Sequence, residues 1–206
     1  MKACTVFCGG EPVSKQVYDA SAPKDSFLIA ADSGYLLAES LGVEPQLIIG
    51  DFDSAEKPKQ GNVAAYPPEK DDTDLMLAVK EGLKQGCRSF YFFGATGGRL
   101  DHTIAAVQAL AFLSEHSAEG KIISDDTRIT LLTPGEYELE NLEGFSLSLF
   151  SYSEKVQQLS LTGTKYPCTD LTLTQSFPLG ISNEIISGSA KLSFSGGLLL
   201  VIRSKL

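Results

Sequence analysis

The sequence predicts an α/β N-terminal domain with a mostly parallel sheet, Rossmann-like and three-layered, followed by an all-β sandwich domain. Two observations carry this expectation. In the first half, short apolar runs end in glycine or aspartate and alternate with stretches of helical periodicity, the βα repeat of a parallel sheet. Beyond Asp125-Asp126 the helical stretches stop, and short alternating runs separated by turn residues take over. The expected domains are therefore 1–126 and 127–206.

The chain has 206 residues, 43% of them hydrophobic, enough to bury a core in either half. Its formal net charge of -9, with no run of Lys or Arg, argues against a nucleic-acid or anionic-membrane partner. A phosphate ligand would then need a metal to neutralise it. Cys4, Cys8, Cys87 and Cys168 form no Cys-x-x-Cys pair and read as small buried hydrophobes in a reducing compartment. The residues before Gly9-Gly10 are too few for a signal-peptide core, and no segment reaches the apolar length of a membrane span. The expected location is the cytoplasm.

Residues 3–7 read as a first strand ended by Gly9-Gly10, and 27–31 as a second ended by Asp32-Ser33-Gly34. Residues 35–41 have helical character with Gly42 as a stop. A third strand, 47–49, runs into Gly50-Asp51-Phe52-Asp53-Ser54. If extended backbone continues there, alternation puts the Asp51 and Asp53 carboxylates on one side, roughly 6–7 Å apart. Such a pair reads either as a solvated acidic turn or as a site for a divalent cation with oxygen ligands, Mg2+ above all. A Pro- and Lys-rich connector follows over 57–68.

Lys70-Asp71-Asp72-Thr73-Asp74 then precedes Leu75, Ala78, Val79, Gly82 and Leu83, a one-faced helical pattern. Asp and Thr there cap the helix and complement its dipole. Three aspartates in four positions exceed what a cap needs, so metal or hydroxyl binding stands beside that reading.

A strand over 89–93 leads to Gly94-Ala95-Thr96-Gly97-Gly98-Arg99-Leu100-Asp101-His102 and a helix through Ile104, Val107 and Ala111. Glycines between strand and helix let backbone amides approach an anion, and Arg99 suits a forked grip on phosphate. The loop is neither a Walker A sequence nor the dinucleotide fingerprint. Asp101 and His102 read equally as helix caps, the preferred reading for His102. Residues 121–124 close this half. Runs at 129–133, 137–140, 145–150, 159–161, 171–174, 190–194 and 198–202 read as sandwich strands, and Gly180-Ile181-Ser182-Asn183-Glu184 as a turn or a ligand loop.

Together, Ala31-Asp32-Ser33-Gly34, Gly50-Asp51-Phe52-Asp53-Ser54, Lys70-Asp71-Asp72-Thr73-Asp74, Gly97-Gly98-Arg99-Leu100-Asp101-His102 and Gly180-Ile181-Ser182-Asn183-Glu184 resemble the motifs of the thiamin pyrophosphokinase family, in the family's order. The resemblance implies transfer of a pyrophosphoryl group from ATP to thiamin, giving thiamin diphosphate and AMP, with Mg2+. It also implies a homodimer whose thiamin pocket lies between the α/β half of one subunit and the sandwich of the other. Carried over by motif, Asp32, Asp51, Asp53 and Asp74 hold Mg2+. Asp51, Asp53 and Asp74 serve catalysis, with Asp74 as the hypothetical base. Thr73, Gly97, Gly98, Arg99 and Asp101 take the nucleotide side, and Ser182 and Asn183 meet thiamin's aminopyrimidine.

Two positions depart from the family's pattern. Bacterial relatives often carry Asn where this chain has Ala106, and some relatives stack a Trp on thiamin, whereas this chain has none. Two competing readings accompany the resemblance. A metal-dependent phosphohydrolase would use Asp51-x-Asp53, but Ala55 and Cys8-Gly9-Gly10 do not suit the dehalogenase pattern. A non-catalytic nucleotide or thiamin sensor would keep the pocket without turnover.

Overall fold

A computed structural model describes residues 1–50, 63–65 (backbone only) and 71–206. Asp51, Asp53 and the 57–68 connector, apart from the backbone of 63–65, lie outside the described residues. The chain divides into two compact units, Met1–Asp125 and Asp126–Leu206.

In the first unit the elements follow as β1 (Ala3–Phe7), α1 (Lys15–Ser21), β2 (Ser26–Ala31), α2 (Gly34–Ser40), β3 (Leu47–Gly50), β4 (Val63–Ala65), α3 (Asp74–Lys84), β5 (Ser89–Phe93), α4 (Leu100–Glu115) and β6 (Glu119–Ile123). The strands pair in the order β6-β5-β1-β2-β3-β4, every pairing parallel. From β1 the chain moves outward through β2, β3 and β4, then returns to the other side of β1 with β5. The order reverses between β1 and β5, and it is at the carboxyl ends of strands beside such a reversal that open α/β sheets hold their ligands.

Strands buried on both faces explain the near-continuous apolar runs: all of Ala3–Phe7 is buried. Alternate side chains serve opposite sides. Phe7, Ala30, Ile48, Phe93 and Ile123 form one cluster with Leu37, Ala38 and Leu41, against which Val17 and Tyr18 of α1 pack. Tyr18 meets Phe93 edge-on, with ring centroids 5.2 Å apart. Each fully buried Phe or Ile in such a cluster contributes about 1.5–3 kcal/mol. Cys4, Cys8 and Cys87 are buried free thiols.

α1 and β4 go beyond the sequence expectation. α1 is short and fully buries none of its residues, so it carries no apolar stripe, and Ser14 starts it by accepting the Val17 N–H. β4 occupies part of the stretch read as a connector.

In the second unit β7 (Thr127–Leu132), β8 (Gly135–Glu140), β9 (Phe145–Ser151), β10 (Lys155–Thr162), β11 (Cys168–Thr174), β12 (Gly180–Asn183), β13 (Ser189–Phe194) and β14 (Leu199–Lys205) build two antiparallel ladders, β12-β9-β14-β7 and β11-β10-β13-β8. Leu147, Leu149, Leu199 and Val201 of the first meet Val156, Leu159, Leu161, Leu173, Leu192 and Phe194 of the second in one buried cluster. β12 replaces part of the stretch read as a turn or ligand loop. It pairs with β9 only at Gly180 and Asn183, with an irregularity between, where Ser182 has φ 56°. That kink breaks the alternation by which a strand is recognised. Among the described residues, no helix is long and apolar enough to cross a membrane.

Candidate functional site

A cavity of about 570 Å³ opens at the carboxyl ends of β1, β2 and β5. Its wall draws on five places in the chain. The end of β1 gives Cys8, Gly9 and Gly10; the end of β2 gives Ala31 and Asp32; the start of α3 gives Thr73, Asp74 and Leu75. The β5–α4 turn gives Gly94, Ala95, Gly97, Gly98 and Arg99, and α4 gives His102, Ala105 and Ala106. Residues 102, 105 and 106 lie three and four apart and so share one helical face.

The β1 and β5 loops run side by side. Cys8 N–H donates to Phe93 C=O (2.8 Å), Gly10 N–H to Gly94 C=O (2.7 Å) and Glu11 N–H to Thr96 C=O (2.8 Å). A Cβ at Gly10 would stand 2.5 Å from the carbonyl oxygens of both Gly94 and Thr96, so only glycine permits this approach. Gly97 (φ 76°) and Gly98 (φ 60°) turn the chain through the left-handed region into α4. Asp32 also has a positive φ of 51°, tolerated by Asp, and its N–H is anchored to Ile49 C=O at 2.7 Å.

The acidic cluster ahead of α3 divides its labour. Thr73 is the N-cap, its hydroxyl accepting the Met76 N–H at 3.2 Å. The Asp72 carboxylate takes the Lys80 ammonium at 2.7 Å on both oxygens. Asp74 stands in the first turn of the helix and lines the cavity.

Arg99 is gripped by Asp101: Nε donates to Oδ1 at 3.2 Å and an Nη to Oδ2 at 2.6 Å, while Oδ1 also accepts the His102 N–H at 3.1 Å. The hydrogen bond from Arg99 holds the Asp101 carboxyl below its ordinary pKa, and the same pair raises that of Arg99. Burial pushes the Cys8 thiol up to about 12, so this wall offers a protonated thiol rather than a soft thiolate ligand.

Asp32, Thr73, Asp74, Gly97, Gly98 and Arg99 thus line one cavity, and Asp101 joins them through Arg99. Ser182 and Asn183 belong to the second unit. Ser182 is exposed, its N–H donating to Ser148 Oγ at 3.1 Å, whereas Asn183 is buried. Sequence reasoning missed the contribution of Cys8, Gly9, Gly10, Leu75 and Ala105. The signal was present for Gly9-Gly10, a glycine pair closing an apolar strand like the glycines after β5. His102, read as a cap residue, lines the cavity, and so does Ala106.

The donor chemistry fits a hard cation. Asp32 and Asp74 bring carboxylate oxygens to a cavity beside glycine-rich backbone, the combination Mg2+ adopts with phosphate and water. Among the described residues no group of three or more His, Cys, Asp or Glu side chains is placed to hold a metal ion.

Comparison with known proteins points one way. A family model described as "Thiamin pyrophosphokinase, catalytic domain" matches residues 18–122, and one described as "Thiamin pyrophosphokinase, vitamin B1 binding domain" matches residues 136–199. The chain is 31% identical to the thiamine pyrophosphokinase of Bacillus subtilis (strain 168), with 99% of both sequences covered. The crystal structure of thiamine pyrophosphokinase from Bacillus subtilis superimposes with a TM-score of 0.90 at 30% identity, covering 99% of each chain. That from Geobacillus thermodenitrificans gives 0.84 at 30% identity, covering 99% of this chain and 98% of the other. The chain belongs to the thiamin pyrophosphokinase family.

Proposed function

We propose that the chain transfers the pyrophosphoryl group of ATP to the hydroxyethyl oxygen of thiamin, giving thiamin diphosphate and AMP, with Mg2+. One observation carries the reading at residue level. Asp32, Thr73, Asp74, Gly97, Gly98 and Arg99, from separated motifs, line a single cavity at the carboxyl ends of parallel strands. That is where open parallel sheets bind nucleotides, and the strand order with its reversal beside β1 supports a Rossmann-like, three-layer reading of 1–126 as the nucleotide- and metal-binding domain.

Asp32 and Asp74, with Asp51 and Asp53, would hold Mg2+, which when bound neutralises phosphate charge and orients the transferred group. The protein's own part is positioning. The backbone at Gly97 and Gly98 and the positive end of α4 favour phosphate oxygens, and Arg99 exchanges its grip on Asp101 for them. The thiamin hydroxyl oxygen forms a bond to the β-phosphorus. The bond from that phosphorus to the α,β-bridging oxygen breaks, and AMP leaves with the electron pair. Asp74 takes the hydroxyl proton.

The 127–206 domain supplies the thiamin side through Ser182 and Asn183. Beside them Tyr166, 62% exposed, is the aromatic we assign to thiamin's ring in a chain without Trp. The enzyme is a homodimer in this reading, to be checked by sedimentation. The buried free thiols support a reducing, cytoplasmic setting.

The deciding experiment mixes protein, Mg-ATP and thiamin and follows the nucleotide product. AMP with thiamin diphosphate is expected. ADP would mean monophosphoryl transfer, phosphate without thiamin dependence a hydrolase, and binding without turnover a sensor; each overturns the proposal.

A further inference from the structure

Residues 163–166 run antiparallel to 183–186 in the second unit. Ile186 N–H donates to Gly163 C=O (3.0 Å), Thr164 and Ile185 form a bridge, and Lys165 N–H donates to Glu184 C=O (2.9 Å). At Tyr166 the side chain of Asn183 takes the place of a backbone partner. Its Oδ1 accepts the Tyr166 N–H at 3.0 Å, and its Nδ2 donates to the Tyr166 C=O at 2.8 Å. The same Oδ1 also accepts the Glu184 N–H at 2.9 Å.

A primary amide offers one oxygen with two lone pairs and two N–H donors. Both lone pairs and one donor are committed here, and Asn183 is 7% exposed. Little of it is left to face a ligand. Tyr166, by contrast, is held at both ends of its own backbone unit while the residue stays 62% exposed. Lys165 Nζ, paired with Glu184 Oε1 at 2.9 Å, stands 5.8 Å from the ring centroid, so the cation covers one side of the ring. The 62% exposure of Tyr166 fits a flat ligand ring on the other side.

We infer that Asn183 is a positioning residue, which acts on thiamin by clamping the Tyr166 backbone so that the exposed ring is a pre-set platform for a planar heteroaromatic ring. The inference rests on the thiamin reading proposed above and revises the role expected of Asn183, from contacting the aminopyrimidine to fixing the residue that does. Fixing a ring before binding removes an ordering cost that a loose loop would carry into every encounter.

The chain contains no Trp, so Tyr166→Trp installs a single fluorophore at the platform. In that variant, the introduced indole is expected to show high anisotropy and to be quenched by thiamin. Adding Asn183→Ala is expected to lower the anisotropy toward that of a mobile side chain. In the parent protein, Asn183→Ala is expected to raise the thiamin KM on the order of tenfold while the nucleotide KM stays within about twofold. Asn183→Asp, which keeps the acceptor and loses the donor to Tyr166 C=O, falls between, and serves if the alanine variant does not fold. An unchanged anisotropy overturns the inference, whether or not the thiamin KM rises, because it means Asn183 does not hold the ring. A mobile indole with an unchanged thiamin KM overturns it as well. If the parent protein neither binds nor converts thiamin, the proposed function falls, while the anisotropy comparison still decides the clamp.

Discussion

The cavity of the first unit and the Tyr166–Asn183 corner of the second are built in opposite ways. The cavity is made by backbone: parallel strands end together, glycines bring two loops within hydrogen-bonding distance, and the candidate side chains stand at strand ends and helix starts. The corner is made by a side chain doing a backbone's job, with the Asn183 amide substituting for a strand partner across seventeen positions. The lesson is about what each tolerates. Backbone-built sites break when a Cβ is added, and side-chain-built ones break when an amide is removed.

The largest effect tests whether the cavity side chains do chemistry or merely cap a helix. Asp74→Asn should lower kcat by at least about a hundredfold with the melting temperature preserved, because Thr73 and not Asp74 is the cap. Single-turnover AMP release measures it, and near-normal turnover would return Asp74 to a structural role. Next, Gly10→Ala should destabilise the first unit by about 1–3 kcal/mol in chemical denaturation, since the Gly94 and Thr96 carbonyls cannot retreat without loosening the loop pairing. A neutral outcome would mean that the loops are not backbone-locked.

Arg99→Lys should raise the nucleotide KM by about tenfold, because an ammonium cannot reproduce the fork. The pH sign follows from Asp101, whose pKa is lowered. The pair is fully formed above the ordinary carboxylate value of about 3.9 and is lost only as pH falls through the lowered one. Raised Arg99 titrates far above neutrality. The nucleotide KM should therefore carry no pH dependence from this pair between about pH 5 and 9. A step within that window in the parent protein that disappears in the Asp101→Asn variant would contradict it.

Thr73→Ala should cost about 1 kcal/mol through the lost cap, read as a lower melting temperature. The smallest effect sharpens the second unit. Thr164 is buried, and its hydroxyl has no hydrogen-bond partner among the described residues, so Thr164→Val should be neutral or stabilising by up to about 1 kcal/mol. Clear destabilisation would mean that this hydroxyl contributes to the corner.

Much of the candidate site in the first unit was legible because a parallel sheet imposes its own grammar. Apolar runs must stop where the strand leaves the core, and Asp32, Gly50 and Gly94 mark those stops. Asp74 and Arg99 were visible as residues that open helices behind such strands. What escaped was short or irregular: α1 buries no full side chain, and β12 is kinked at Ser182, so neither shows the period by which its class is recognised.

By itself, then, the sequence determined the two-part organisation, the strand ends and the residue types able to hold phosphate and a hard cation, because periodicity and chain-breaking residues act locally. Only the tertiary structure decided which of them share a wall. It separated Asp72, paired to Lys80, from Asp74 on the cavity, and it turned Asn183 inward onto Tyr166. Side-chain direction and partner choice depend on segments distant in sequence meeting in space, and that information lies in the packing rather than in the order of residues.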